Sequence, residues 1–311
     1  MNAILVIDKP AGITSHDVVA RVRRILGERS VGHLGTLDPM ATGVLPLLIG
    51  HYTRLAQFFE ASTKSYEGTI RLGFVTDTYD AEGQPLGPAQ EVQVTLDEIQ
   101  QAARQFVGRI EQVPPNFSAK KIGGVPAYKL ARKSREVSLK SIQVTIEELA
   151  LSDLRNDLID FTAKVSAGTY VRSLAHDLGQ KLRVGAHLAR LRRTASGEFT
   201  LEEAVTLQQL QSLSDQNGGS EDGLEAELAK VFVNPRSVLQ TMPSLTVTDE
   251  TAGQIANGRA VNLPEFSPAH QVKVFLGSKR LIAIATRIAG TLFQPKVVLN
   301  ATQSAPIRNV R

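Results

Sequence analysis

The sequence predicts an α+β protein of about two domains, and three observations support this fold class. Its 311 residues exceed the usual size of one domain, and 42% of them are hydrophobic, which is enough for a packed core. Runs with the two-residue period of strands alternate with runs that have the helical period and capping residues. From about residue 242 the chain turns basic and strand-rich, so we expect domains at 1–240 and 241–311.

The N-terminal third is expected to hold strands separated by short helices. Residues 3–7 form an apolar, strand-prone run. Thr14 and Asp17 are typical of a capping box and Gly27 of a helix end, so a helix is expected between them. Further elements are expected as a strand at 44–49, a short helix at 53–61 and a strand at 64–73 that carries Tyr66 near its start.

The remaining elements follow from the same signals, and one segment is ambiguous. For residues 185–199 the pattern favours a helical turn at Leu188 and Leu191 followed by an extended stretch at 192–199. A loop is expected at 214–222 because the segment is polar and rich in glycine. The other predictions are a helix at 95–107, paired strands at 142–151 and 158–165, a helix at 170–182, C-terminal strands at 245–247, 272–276, 281–288 and 296–299, and a helix at 249–257.

Composition and charge narrow the class of protein. The absence of cysteine excludes disulfides, thiolate zinc sites and a cysteine nucleophile, and it fits a reducing, cytoplasmic setting. The N-terminus lacks the pattern of a signal peptide, and no run of about 18 apolar residues predicts a membrane span. Lys and Arg concentrate at 120–135, 181–193 and 251–311, which is typical of proteins that neutralise a phosphate backbone, although solvated lysines would give the same pattern.

One short segment, residues 32–43, surrounds a single carboxylate with three glycines and a proline. Glycine permits backbone angles that other residues avoid, and Pro39 keeps the residue before it out of the helical region. Asp38 is therefore predicted to be presented on a shaped loop instead of being packed in the core. The same residues are also compatible with an ordinary Asp-Pro turn.

Four separated segments, at 8–12, 32–43, 64–66 and 168–172, together resemble one family. In order, they contain Asp-Lys-Pro-Ala-Gly, Leu-Asp-Pro, Lys-Ser-Tyr and Gly-Thr-Tyr-Val-Arg. Together these motifs resemble those of the TruB-type pseudouridine synthases, which act on bacterial tRNA at uridine 55. The resemblance implies a catalytic domain on a mixed, largely antiparallel sheet, followed by a PUA-like RNA-binding domain. It also implies that uridine in the tRNA T-loop is flipped out and isomerised without a cofactor.

The resemblance assigns catalytic roles to three residues. Asp38 corresponds to the catalytic aspartate, Arg172 to the arginine that pairs with it, and Tyr66 to the tyrosine that stacks on the target base. Without the resemblance, Arg172 would be interpreted as a solvated helix-start residue and Tyr66 as a core residue. Since an aspartate is ordinarily ionised at neutral pH, Asp38 could attack C1′ or C6 of the uridine or stabilise charge on the sugar; the order of bond-making stays open.

Four further residues are expected to bind the substrate or support the site. The resemblance implies that Tyr170 contacts the flipped uracil and that His33 is a wedge in the RNA loop. It also implies that Lys9 supports the floor of the site and that Leu191 lines the uracil pocket. From the sequence alone, Lys9 could equally be a turn residue and Leu191 a core residue. A metal site is not expected, because the six histidines are scattered without ligand spacing.

Two other arrangements of catalytic residue types are set aside. Ser15, His16 and Asp17 are interpreted as capping residues, because neighbours in sequence cannot converge on one reacting atom. Asp77 or Asp80 could act with Asp38 as in glycoside hydrolysis, but neither has a comparable sequence setting.

The expected partner is the T-loop of tRNA, bound by a monomer that needs no protein partner and no membrane. The basic segment 114–135 is expected to be a mobile thumb that folds over this loop. Three rival hypotheses remain: a non-catalytic RNA chaperone, a nucleosidase that releases uracil, and a guide-RNA-dependent enzyme acting on rRNA, which the thumb sequence disfavours.

Overall fold

The structure is a computed structural model that describes residues 1–118, 121–122, 125–126, 139–215, 227–266 and 268–299. Its strands are β1 (Ala3–Lys9), β2 (Val31–His33), β3 (Thr42–Ile49), β4 (Lys64–Leu72), β5 (Gly108–Gln112), β6 (Lys121–Ile122), β7 (Val125–Pro126), β8 (Ile142–Arg155), β9 (Leu158–Val165), β10 (Ala186–Ser196), β11 (Phe199–Thr200), β12 (Ala204–Val205), β13 (Ser244–Val247), β14 (Val261–Asn262), β15 (Gln271–Leu276), β16 (Arg280–Ala289) and β17 (Leu292–Val298). Its α-helices are α1 (Ser15–Leu26), α2 (Leu96–Arg104), α3 (Val171–Lys181), α4 (Leu207–Asp215) and α5 (Asp249–Ala256), and short 3-10 helices span Gly50–Phe58, Leu201–Glu203 and Pro264–Phe266.

The larger sheet has ten strands and is mixed. Its order is β12-β1-β3-β10-β4-β9-β8-β5, with β2 beside β3 and β11 beside β10. Strand β12 runs parallel to β1 and β10 runs parallel to β3, whereas the other described neighbours are antiparallel. The predicted α+β class and largely antiparallel sheet are thereby confirmed. Strands β3, β10 and β4 lie side by side, which brings distant parts of the sequence to one place.

Helix α1 begins and ends where its capping residues predict. The Thr14 hydroxyl accepts from the Asp17 N–H at 3.0 Å, and the Asp17 carboxylate accepts from the Thr14 N–H at 2.9 Å. Gly27 ends the helix with a φ of 62°. Val18 and Val22 are fully buried in the main core, so the helix covers one face of the large sheet.

The prediction of a helical turn at Leu188 and Leu191 was wrong, because both residues lie in β10. The extended stretch expected at 192–199 is confirmed for residues 192–196, which continue β10, and for Phe199, which begins β11. Leu188 lies opposite Ile70 of β4, but Arg190 lies opposite Thr69, so β10 contains an extra residue at this point. This β-bulge lets Leu188 and Leu191 both be buried although they are three residues apart. A bulge therefore produced the spacing that resembled a helix.

Several element boundaries also differ from the predictions. Helix α2 ends at Arg104 instead of residue 107, and the helix expected at 53–61 is a 3-10 stretch at Gly50–Phe58. Helix α4 had no predicted counterpart. The predicted loop 214–222 was wrong for residues 214 and 215, which end helix α4, and its remaining residues lie outside the described ones. Of the thumb 114–135, the structure describes residues 114–118 and the antiparallel pair of β6 and β7.

The C-terminal part forms a second, five-stranded sheet in the order β13-β15-β16-β17-β14, which confirms the expected β-rich region. It packs against the larger sheet's flank through a shared hydrophobic cluster. The buried Tyr52 hydroxyl accepts from the Leu281 N–H at 3.2 Å, and Arg54 donates to the Val298 carbonyl at 2.8 Å. Within the described ranges, no helix combines the length and apolar character needed to cross a membrane.

Candidate active site around Asp38

Asp38 lies on the connection between β2 and β3. Its carbonyl accepts from the Ala41 N–H at 3.1 Å, which closes a tight turn around Pro39. Gly43, at the start of β3, has a φ of 99°, and an added Cβ would lie 2.2 Å from the carbonyl oxygen of Arg193. Gly32, which was expected in the loop, instead belongs to β2. The connection is therefore a shaped turn pressed against β10.

Lys9 fixes this turn from below. Its side chain is fully buried at the end of β1, and Nζ donates to the carbonyls of Pro10 at 2.9 Å, Pro39 at 3.1 Å and Ala41 at 2.7 Å. Burial lowers the pKa of Lys9 from 10.5 to about 8, against the opposing attraction of Asp38. One ammonium group thus holds the backbone on both sides of the turn.

Two further buried polar side chains hold the loop. Ser15 Oγ accepts from the Leu37 N–H at 2.8 Å and donates to the Leu37 carbonyl at 3.1 Å, so it fixes the residue before Asp38. Arg193, which is 1% exposed, donates to the carbonyls of Gly35 at 3.0 Å and Val44 at 2.7 Å. The loop is thereby anchored near both of its ends.

Arg172, in the first turn of α3, contacts both carboxylate oxygens of Asp38. The distances are 2.9 Å from Nε to Oδ2 and 3.1 Å from Nη2 to Oδ1. Arg172 is 6% exposed, whereas the Asp38 side chain is 34% exposed. A buried guanidinium therefore aims an accessible carboxylate by a two-point contact.

Asp80 contacts the same guanidinium, which corrects the expectation that no second carboxylate has a comparable setting. It is 3% exposed, and its Oδ2 lies 3.3 Å from Arg172 Nη1. The carbonyls of Thr78 and Phe117 accept from Arg172 at 3.1 and 3.0 Å. Among the described residues, Arg172 thus has two contacts with Asp38, an ion pair with Asp80 and hydrogen bonds to two carbonyls, which fix its orientation.

The surroundings of Asp38 have opposing effects on its pKa. Burial raises the pKa of Asp38, and the negative charge of Asp80 adds to this rise, while Arg172 and Lys9 favour the ionised form. Glu82, which lies near both aspartates, has its pKa raised by burial and by their charges. Arg172 is therefore the main group that keeps negative charge concentrated at Asp38.

Tyr66 and Leu191 lie on neighbouring strands of the same sheet. Tyr66, on β4, is half-buried and faces Arg193 of β10 in the strand register. Leu191, on β10, is buried, and its carbonyl accepts from Thr42 Oγ1 at 3.5 Å. Within the described part of the chain, Tyr66 makes no hydrogen bond to Asp38. Strand β10 lies between β4, which carries Tyr66, and β3, which follows Asp38.

Tyr170 and His33 lie at the ends of two different elements, helix α3 and strand β2. Tyr170 directly precedes α3, and its backbone is held by Gln112 through hydrogen bonds of 2.8 and 3.1 Å. Burial raises the pKa of the Tyr170 hydroxyl. His33 ends β2, and its buried Nδ1 has no hydrogen-bond partner among the described residues. Burial lowers the pKa of His33, and Arg193 adds to this effect.

No cluster of three or more potential metal ligands occurs in the described ranges. A cavity of ≈590 Å³ lies beside α3, but its lining includes His176 and Gln180 and not Asp38. The reactive geometry is thus defined by the accessible carboxylate of Asp38 and not by that cavity.

Sequence reasoning missed the roles of Ser15, Arg193 and Asp80. Ser15 was interpreted only as part of a capping segment, and Arg193 only as one charge in a basic zone. A signal existed for Arg193, because an arginine at an inward position of a strand must find buried acceptors. No local pattern distinguishes Asp80 from an ordinary turn aspartate, since its partner lies 92 residues away.

Comparison with known families gives two consecutive matches. The model described as TruB family pseudouridylate synthase (N terminal domain) matches residues 23–171. The model described as tRNA pseudouridylate synthase B C-terminal domain matches residues 172–240. The two matches meet at Arg172, the residue that pairs with Asp38.

Individual proteins support the same relationship. The chain is 46% identical over 302 residues to tRNA pseudouridine synthase B of Solibacter usitatus, covering 96% of this chain and 100% of that protein. It is 39% identical to the protein of the same name from Aquifex aeolicus, with the same coverage. Among solved structures it is similar to a chain of a Cbf5-Nop10-Gar1 complex, with a TM-score of 0.70, 26% identity and coverage of 96% and 85% of the two chains. A chain of an H/ACA RNP bound to a substrate RNA gives a TM-score of 0.69 at 25% identity, with the same coverage.

Proposed function

The chain belongs to the TruB family of pseudouridylate synthases, and on this premise we propose that it converts uridine 55 in the T-loop of tRNA to pseudouridine. The observation that carries the proposal is the two-point contact of Arg172 with the accessible carboxylate of Asp38, in a chain whose relatives are named tRNA pseudouridine synthase B. The reaction breaks the bond between uracil N1 and C1′ of the ribose and joins C5 of the base to C1′, while C5 loses its proton and N1 gains one. Atoms and electrons balance within the nucleotide, so the enzyme is an isomerase.

Asp38 is the proposed catalytic carboxylate. Its turn is fixed by Lys9 and Ser15, so the carboxylate is aimed before the substrate arrives. An ionised carboxylate can attack C1′ or C6, or stabilise positive charge that develops on the sugar. Each of these steps draws on the negative charge that Arg172 orients.

Asp80 is a second counter-ion for Arg172. If Asp38 forms a bond to the nucleotide, its charge is consumed and Arg172 loses one counter-ion. Asp80 remains at 3.3 Å and keeps the buried guanidinium compensated. The arrangement therefore supports a step in which the charge of Asp38 disappears and returns.

The remaining site residues complete the proposal. Tyr66 stacks on the flipped base, Tyr170 and Leu191 line its pocket, and His33 takes the position that the base leaves in the RNA loop. A buried, uncharged imidazole is suited to stacking, and burial lowers the pKa of His33 in that direction. Lys9 supports the floor through its carbonyl contacts.

The chain is organised as two domains and a thumb. Residues 1–240 form the catalytic domain, the segment 114–135 is its thumb, and 241–311 form a PUA-like RNA-binding domain. The enzyme works as a monomer without a protein partner, in the cytoplasm where tRNA is used. It requires neither metal nor cofactor.

The test is to incubate an unmodified tRNA transcript with the protein alone, without metal or nucleotide, and to map pseudouridine in the product. We expect one pseudouridine, at the T-loop uridine. A matched transcript with cytidine at that position should remain unmodified.

Each rival function gives a different product. Release of free uracil would indicate a nucleosidase, and tRNA binding with no pseudouridine would indicate an RNA chaperone. Modification of an rRNA fragment only after addition of a guide RNA would indicate a guide-dependent enzyme. Any of these three outcomes would contradict the proposed function.

A further inference from the structure

Tyr79 has a backbone conformation that residues other than glycine rarely adopt. Its φ is 63°, in the left-handed region, where a residue with a bulky side chain is strained. The strained residue directly precedes Asp80, the second carboxylate on Arg172. Such a conformation persists only when surrounding contacts impose it, so the contacts of Tyr79 are of interest.

The tyrosine ring stacks on His176 of helix α3. The ring centroids are 3.8 Å apart, and the ring planes are 11° from parallel. Burial raises the pKa of Tyr79 and lowers the pKa of His176, and both shifts favour the uncharged rings. On the backbone side, the Tyr79 carbonyl accepts from the Leu188 N–H of β10 at 3.0 Å. Tyr79 therefore connects one strand to one helix.

His176 follows Arg172 by four residues on α3, so the two side chains project from the same helix face. Arg172 contacts the carbonyl of Thr78 at 3.1 Å and the carboxylate of Asp80 at 3.3 Å, the residues before and after Tyr79. The ring stack and the guanidinium contacts are thus adjacent attachments of one turn to one helix. Among the hydrogen bonds and ion pairs of the described residues, those of Arg172 are the ones that hold this turn to α3 beside the stack.

We propose that the stack of Tyr79 on His176 positions Arg172, and through it Asp38, by holding Thr78 and Asp80 against the guanidinium. Neither ring contacts the carboxylate of Asp38 in the described structure, so both are positioning residues. The inference rests on the proposed function, because one of its readouts is pseudouridine formation.

The test compares variants that remove the stack with variants that keep it. Tyr79→Gly removes the ring and also relieves the backbone strain, and His176→Ala removes the other ring. Tyr79→Phe and His176→Phe keep a stacked pair and serve as matched controls. Thermal unfolding of each variant establishes that it is folded.

The first readout is the single-turnover rate at saturating tRNA, measured beside the Kd for tRNA. We expect Tyr79→Gly and His176→Ala to be about tenfold slower or more with unchanged Kd, because misplaced catalytic groups lower the rate of chemistry. The Phe variants should stay within about twofold of the native rate, and the double variant Tyr79→Gly/His176→Ala should be no slower than either single one. Native rates in Tyr79→Gly would overturn the proposal.

The second readout does not depend on activity. Hydrogen exchange at Arg172 Nε, followed by NMR in the free protein, should be faster in Tyr79→Gly than in Tyr79→Phe. Equal exchange in the two variants would overturn the positioning role even if the native protein formed no pseudouridine. If Tyr79→Gly exchanges faster than Tyr79→Phe but the native protein forms no pseudouridine, the positioning role is supported and the proposed function is contradicted.

Discussion

At the scale of single residues, the position of Asp38 depends on two buried cations, of which one contacts the turn and the other the carboxylate. Lys9 donates to backbone carbonyls beside the carboxylate, whereas Arg172 contacts the carboxylate oxygens themselves. The first cation determines where the turn lies, and the second determines where the charge lies. Their removal should therefore have different consequences.

Replacing Arg172 with lysine should lower the single-turnover rate by about 10²-fold or more, because an ammonium cannot reproduce a planar two-point contact. The Kd for tRNA should change little. Arg155→Lys is the matched control, since Arg155 pairs with Asp160 on the surface and is 62% exposed. A native rate in Arg172→Lys would show that orientation of Asp38 by the guanidinium is unimportant.

Lys9 predicts a particular dependence of stability on pH. Its pKa is about 8 in the folded protein and 10.5 ordinarily, so between these values the unfolded chain binds a proton that the folded chain does not. The free energy of unfolding of the native protein, relative to Lys9→Met, should therefore increase as the pH rises from about 8 to about 10.5. Urea denaturation at pH 7.5, 9 and 10 measures this difference; a constant difference would mean that the pKa of Lys9 is not lowered.

At the scale of elements, the position of the turn that carries Asp38 depends on how closely β3 approaches β10. Gly43 has a φ of 99°, and any Cβ there would overlap the backbone of Arg193. Gly108 has a similar φ of 104° but open space around it. Comparing substitutions at the two glycines therefore separates the cost of backbone strain, which both share, from the cost of close packing, which only Gly43 has.

Gly108→Ala should lower the free energy of unfolding by about 1–2 kcal/mol, the cost of the left-handed conformation alone. Gly43→Ala should lower it further, by about 1–3 kcal/mol more, because overpacking is added to the strain. Urea denaturation measures both variants. Equal losses would indicate that β3 and β10 can move apart without cost.

Elements with local signals could be predicted from the sequence, whereas elements shaped by distant strands could not. Thr14 and Asp17 specify the start of α1 through a capping box of adjacent residues. Leu188 and Leu191 were misinterpreted because their spacing results from a bulge against β4, which the sequence of β10 does not reveal. Local hydrogen bonds can be inferred from neighbours, but strand register depends on the partner.

The candidate site shows the same division. Asp38 and Arg172 were identified from motifs, and the structure places them in contact. Asp80 was set aside, because its importance comes from a shared partner and not from its own surroundings in sequence. Arg193 was counted as surface charge although it is buried beneath the turn. Polar networks that cross between distant segments are what sequence reasoning left out.

At the scale of the whole molecule, the two sheets share one hydrophobic cluster and a few polar contacts. Tyr52→Phe should lower the free energy of unfolding by about 1–3 kcal/mol, because the buried Leu281 N–H loses its acceptor. Arg54→Ala, which removes an exposed hydrogen bond at the same interface, should cost less. If urea denaturation shows equal stability for Tyr52→Phe and the native protein, the sheets do not depend on this contact.

The central claim is that the carboxylate of Asp38 performs the chemistry while the rest of the site positions it. The most direct measurement is single-turnover pseudouridine formation by Asp38→Asn, with the Kd for tRNA measured on the same preparation. Because the amide keeps the size of the side chain but loses its charge, we expect no detectable pseudouridine and a native Kd. Pseudouridine formation by Asp38→Asn at a rate near that of the native protein would contradict the account.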